Sequence, residues 1–225
     1  MQARPSEQRR TFTETARRAQ IVAAAIDTIA ELGYAQASFA QIARRAGLSS
    51  TGLISYHFAS KDELIEQVVE EVVTAGAAFT APRIEAAVGA GRKLRAYVED
   101  NLEFMASHPA HIVAVAQVFS ALPPDRSGQA PPYAAWHELG IAHLEEMLRE
   151  GQRAGEFGRF SARVMAITIR AAIDAVGYRL AGDPEMDLRA DARELSALFA
   201  RATASSGTGA SGGSPAVKGS HRRSP

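Results

Sequence analysis

The chain has 225 residues, no cysteine, and 25 basic residues against 25 acidic ones. That length allows one or two domains and a core built without staples. The lack of cysteine excludes a disulfide framework, a thiol nucleophile and a Cys-ligated zinc.

No apolar run approaches the ~18 residues that span a bilayer, so no membrane partner is expected. The polar stretch Met1 to Arg10 lacks the apolar centre of a secretory signal, which points to a cytoplasmic protein. The balanced total hides a segregation. Residues 1–61 carry eight cations and four anions, and residues 62–203 carry 14 and 21. Residues 204–225 add three cations and no acid. A basic front end on an acidic body fits a polyanionic partner.

The predicted elements are all helices. Residues 1–10 read as a flexible arm. Thr11-Phe-Thr-Glu14 fits a capping box, in which side chains satisfy the exposed donors of a helix start. The stripe Val22, Ala25, Ile29, Leu32 follows at helical spacing, and Gly33 stops it. Ser38-Phe-Ala-Gln41 is a second capping box, opening a two-turn helix closed by Gly47. A short helix is expected over about 50–58. Ser60-Lys-Asp-Glu63 is a third box, opening a long helix over 61–79 that should break at Thr80-Ala-Pro82. Coarser patterns place further helices at 83–107, 110–121, 133–154, 161–181 and 187–202. From Thr203 the chain is Ser, Gly, Ala and Pro with a few cations, a composition expected to remain disordered.

Residues 38–61 carry the chemistry. A two-turn helix, a Gly-containing turn and a second short helix make a helix-turn-helix, whose second helix enters the major groove of DNA. Ala40, Ala43 and Ala46 keep the first helix slim, and Leu53, Ile54 and Phe58 should face inward. Ser49, Ser50, Thr51, Ser55, Tyr56 and His57 offer hydrogen-bonding groups to bases and phosphates. Gly52 lets a backbone come close, and Lys61 sits where a phosphate would meet a helix N-terminus. Against this stand plainer roles: Tyr56 packing on the first helix, His57 bridging helices, and Ser38 and Ser60 acting as caps.

The run from Ser38 to Ser49, Ser38-Phe-Ala-Gln-Ile-Ala-Arg-Arg-Ala-Gly-Leu-Ser, followed by Thr51-Gly-Leu-Ile-Ser-Tyr-His-Phe58 and Lys61-Asp-Glu-Leu64, resembles the DNA-binding domain of the tetracycline-repressor (TetR) family. Leu32-Gly33-Tyr34 matches the end of that family's first helix, and the likeness covers about residues 15–65. Ser55 stands where the family usually has an aromatic residue, and the turn from Gly47 to Gly52 is one residue longer than its commonest form.

The resemblance implies an all-α fold: a helix-turn-helix domain at 11–60, an effector-binding and dimerisation domain at 61–202, and a tail at 203–225. It implies a homodimer through the last two helices, a palindromic double-stranded DNA operator and a small-molecule effector that releases it. Val164, Ile167, Thr168, Ala171, Ala175 and Val176 would line one dimer helix, and Leu188, Ala192, Leu195 and Phe199 the other. Candidate pocket residues are Tyr97, Asn101, Phe104, Met105, Phe119, Trp136, His137, Met147 and Ile169.

No cofactor and no metal is expected: His108-Pro-Ala-His111 has no Cys or nearby carboxylate to complete a ligand set. No nucleophile elbow or phosphate loop marks an enzyme. The alternative is an all-α small-molecule-binding or adaptor protein without DNA-binding activity.

Overall fold

The computed structural model describes residues 5–121 and 134–205. The tail beyond Ser205 and the Pro-rich stretch 122–133 lie outside the described residues. So does the part of the N-terminal arm before Pro5. Nine helices run in order among the described residues: α1 (Pro5–Leu32), α2 (Phe39–Arg45), α3 (Gly52–His57), α4 (Lys61–Ala86), α5 (Ala90–Ser107), α6 (Pro109–Ala121), α7 (Ala134–Arg153), α8 (Ala162–Gly182) and α9 (Leu188–Thr203). Only an isolated bridge between Phe157 and Ala204 has β character among them.

Two of the three capping boxes work as expected. The Ser38 hydroxyl accepts from the Gln41 amide at 3.3 Å, and that of Ser60 accepts from Glu63 at 3.1 Å. The Glu63 carboxylate returns the favour at the Ala59 amide, 2.7 Å away. α1 begins at Pro5, so residues 5–10 are helix rather than arm and Thr11–Glu14 lies within the helix instead of at its start. Proline at the first helical position needs no N–H partner and is preset in φ. Gly33 and Gly47 have φ of +82° and +65°, the left-handed conformation that ends α1 and turns the chain after α2.

α4 continues through Pro82 to Ala86, past the expected break. Proline there removes one helical hydrogen bond, but Ile84 beyond it is buried, and burial keeps the helix going. α5 accordingly begins at Ala90 rather than at 83. Its first amides are held by Glu156, whose Oε2 accepts from Ala90 at 2.7 Å.

Two cores form. The first joins Ile21, Ile26 and Ile29 of α1 to Ile42, Ile54, Phe58, Leu64 and Val68, and takes in Phe104, Ala114 and Val118 from α5 and α6. The second gathers Leu94, Val98, Leu102, Leu144, Leu148, Ile169, Ile173 and Phe199 from α5, α7, α8 and α9. Each buried Val, Leu, Ile or Phe among them contributes about 1.5–3 kcal/mol. α6 lies along α1 on one side and α8 on the other, and α4 runs from the first core into contact with α5. α4 and α6 thereby reach both cores.

Candidate nucleic-acid interface and body cluster

α3 buries only Ile54 among its six residues. Its N-cap, Thr51, makes no side-chain capping bond, so that hydroxyl is not consumed by the helix end. Ser49, Ser50, Thr51, Gly52, Ser55 and Tyr56 are all exposed, and Ser38 is exposed at the start of α2. Tyr56 is 75% exposed, which removes packing against α1 as its role. Its ring meets the edge of His57, with centroids 5.0 Å apart. His57 is half-buried.

Leu53 departs from expectation. It is 38% exposed, because in a helix this short it points about 100° away from Ile54, the residue that takes the inner face. It sits beside Tyr56 on the outer surface, an apolar group among hydroxyls. Sequence reasoning missed it because apolar character alone does not decide facing over six residues.

Lys61 is half-buried. Its Nζ donates to the carbonyl of Tyr34 at 3.0 Å and stands 4.2 Å from the centroid of the Tyr34 ring. Burial lowers its pKa, with Asp62 opposing the shift. That contact accounts for a lysine at a helix N-terminus, where the dipole disfavours it. Arg44 reaches back to Gln41, and Arg45 pairs with Glu31 of α1.

Seven of the nine proposed pocket residues fall in or against the two cores. Tyr97, Met105, Met147 and Ile169 belong to the second core. Phe104 lies in the first, with Phe119 and Trp136 packed against it. Phe104 stacks on His108 at 4.5 Å and tilts against Phe79 of α4.

Tyr97, Asn101 and His137 converge instead on two residues that sequence reasoning did not name. Arg170 of α8 donates from Nε and Nη2 to Asp174 Oδ1, at 2.9 and 2.6 Å, and from Nη1 towards Asn101 Oδ1 at 3.4 Å. His137 Nε2 lies 2.9 Å from Asp174 Oδ2. Burial of Arg170 works against its charge, but Tyr97 and Asp174 outweigh it and its pKa is raised. Burial likewise works against Asp174, but the hydrogen bond from His137 and the Arg170 charge and bond hold its pKa below the ordinary carboxylate value. The signal was present in the sequence as an arginine and an aspartate four apart in the mostly apolar middle of a helix. Among the described residues no group of three or more His, Cys, Asp or Glu could hold a metal ion, the His108–His111 pair included. None of the described helices is long and apolar enough to cross a membrane.

The expected dimer surfaces also sort out. Val164, Ile167, Thr168, Ala171 and Ala175 are exposed along α8, whereas Val176 is buried. On α9, Leu188, Ala192 and Phe199 are buried in the chain's own core, with Leu195 packed against it, and Leu198 and Ala202 face out. The α9 stripe is therefore intrachain core, since α9 lays its strongest apolar face on α5.

A helix-turn-helix head joined by a long helix to an all-helical body defines a DNA-binding regulatory protein. Residues 21–68 match the family model for bacterial regulatory proteins, tetR family. The HTH-type transcriptional regulator BetI of Cronobacter sakazakii is 30% identical over 189 residues, spanning 82% of this chain and 89% of that protein. The chain belongs to the tetR family of transcriptional regulators. Its match to BetI 1 of Chromohalobacter salexigens, 34% identical over 88 residues, spans 43% of that relative. Among solved structures, the transcriptional regulator FadR of Bacillus subtilis, in complex with stearoyl-CoA, has a TM-score of 0.68 at 21% identity. That likeness covers 80% of this chain and 96% of that one.

Proposed function

We propose that this regulator is a repressor that binds a palindromic operator as a homodimer in the cytoplasm and is released by a small molecule held in its body. The head, residues 11–60, reads the duplex, and the body, residues 61–202, carries the effector and dimer surfaces. It performs no enzymatic step. The observation that carries the reading is the outer face of α3, where Thr51, Ser55 and Tyr56 stand exposed on a segment with twice as many cations as anions.

Thr51 and Ser55, one turn apart, address base edges, and Leu53 offers an apolar contact of the kind a thymine methyl accepts. Ser38, Ser49, Ser50, Gly52, Tyr56, His57 and Lys61 serve mainly the phosphates, which set position rather than sequence. The effector lies among α5, α7 and α8, near Tyr97, Asn101, His137, Arg170 and Asp174. The B. subtilis FadR structure, with stearoyl-CoA bound, is one protein of this fold that holds a small molecule. Release follows from the route of α4: Arg83 near its end pairs with Asp100 of α5, and Lys61 at its start is tied to the head. A ligand that prefers one placement of α5 moves α4, and the heads lose register with the operator.

The test is to retain fragmented genomic DNA from the source cell on the purified protein at near-physiological salt. The native chain should enrich a palindrome, and a Thr51→Ala/Tyr56→Ala double variant, changed only at exposed positions, should not. Equal enrichment by both would leave a nonspecific basic patch, and none by either would favour an adaptor that only binds small molecules.

A further inference from the structure

α2 and α3 both end beneath α1. A helix C-terminus leaves carbonyls without partners, and these must be met from elsewhere. α1 meets one in each helix. Gln20 Nε2 donates to the carbonyl of Ala46 at 2.7 Å, closing α2. Arg18 donates from Nη1 to the carbonyl of His57, the last residue of α3. The same guanidinium lies 4.2 Å from the centroid of the Phe58 ring. Its Nη2 stands 3.3 Å from Gln67 Oε1 and 3.5 Å from Glu63 Oε1, both on α4. One planar group thus touches the end of the recognition helix, the residue after it and the first two turns of the helix that leads to the body.

The arrangement matters because α3 cannot hold itself. Six residues are far below the length at which a helix is stable alone. Only Ile54 within it is buried, and three residues, Phe58 to Ser60, separate it from α4. Those three are extended or turning, with Phe58 at φ −136°. Such a link, anchored by buried Phe58 and by the bonds of Ala59 and Ser60 to Glu63, fixes the separation of the two helices more firmly than their relative rotation. A guanidinium fork, with donors in fixed directions, supplies the missing constraint in a way a lysine cannot.

We infer that Arg18 is a positioning residue for DNA readout: it clamps α3 to α4, so that the recognition helix follows the helix arriving from the body as one rigid piece. It acts through the His57 carbonyl and α4, not by touching the duplex. This rests on the DNA-binding reading above and adds to it the joint through which an effector's displacement of α4 reaches the bases.

Three variants test it: Arg18→Met, which keeps an apolar stem over Phe58 and removes the donors; Arg18→Lys, which keeps the charge; and Gln67→Met. In the free full-length protein, amide hydrogen exchange across residues 52–58 should quicken about tenfold or more in Arg18→Met, as befits loss of a charge-assisted bond. Exchange in α8 and α9 should not change. On the genomic fragment retained by the native protein, affinity should fall about tenfold, with the slope of log affinity against log salt unchanged. Arg18→Lys should recover only a minor part of either loss. The Arg18→Met and Gln67→Met effects should be non-additive, since the two side chains share one contact.

A slope shallower by about one would make Arg18 a phosphate contact and overturn the proposal. So would a lowered melting temperature with unchanged exchange in α3 and unchanged affinity, the outcome for a residue that merely stabilises the head. If the native protein retains no fragment at any salt, the DNA-binding reading fails, and the exchange experiment still decides whether Arg18 clamps α3.

Discussion

Tyr56 separates two kinds of residue in the head. Ile54 and Phe58 flank it and are almost fully buried, while Tyr56 itself is 75% exposed, its ring against the edge of His57. An exposed aromatic of that size on a recognition helix has its use outside the chain. Tyr56→Ala should therefore change unfolding free energy by no more than about 0.5 kcal/mol, while retention of the operator fragment falls several-fold. Denaturant melts and retention assays on the same preparation check it, and a large stability loss would return Tyr56 to a packing role. The motif residues were legible in the sequence because their order and spacing carried them. What each side chain touches was less so. Lys61 shows the difference: its spacing marked it as special, but only the fold brought the Tyr34 carbonyl and ring beneath its ammonium.

Helix boundaries were readable where a short-range code set them. Ser38 and Ser60 cap over three residues, and the break at His108-Pro109 needs only the proline. They were unreadable where distant packing decided, as in the run of α4 through Pro82. The Arg170–Asp174 cluster escaped for the same reason, since the partners of its two residues lie 37 to 73 residues earlier in the chain.

α6 shows what an element boundary can place. His111 lies in its first turn and is half-buried, its ring 5.3 Å from that of His108 and 6.3 Å from that of Phe104. Asp27 of α1 and Glu71 of α4 are the acidic groups that act on it. Burial lowers the His111 pKa, His108 lowers it further, and Glu71 and Asp27 only partly oppose them. The unfolded chain consequently takes up this proton first. As pH falls below the ordinary histidine value of 6.5, His111 costs the folded state stability, and the cost is complete once the folded pKa is passed. Unfolding free energies measured from pH 8 to 5 should show a steeper loss for the native chain than for His111→Gln. Identical slopes would mean that the junction of α1, α4 and α6 does not hold this ring neutral.

At the scale of the whole molecule, the proposed dimer depends on which surface two copies would share. α8 presents Val164 at 61% exposure, Ile167 at 43% and Tyr178 at 48%, with Ala171 and Ala175 between them, and α9 adds Leu198 at 48%. Isolated apolar side chains on a surface need no explanation, but a stripe along a helix of 21 residues does. The alanines at its centre let another helix approach closely, and a two-fold axis would set each α8 against its twin, giving one seam rather than two. A charge placed there is buried twice, once from each copy. Ile167→Glu should convert a dimer to a monomer in sedimentation velocity while leaving helical content unchanged. It should also weaken operator retention by about a hundredfold or more, because a head without a tethered partner loses the high effective concentration at the second half-site. Half-sites one helical turn apart, about 34 Å, require both heads at once. A variant that stays dimeric would move the interface off α8. A monomer with native retention would instead show that one head suffices, and the expected palindrome would have no physical basis.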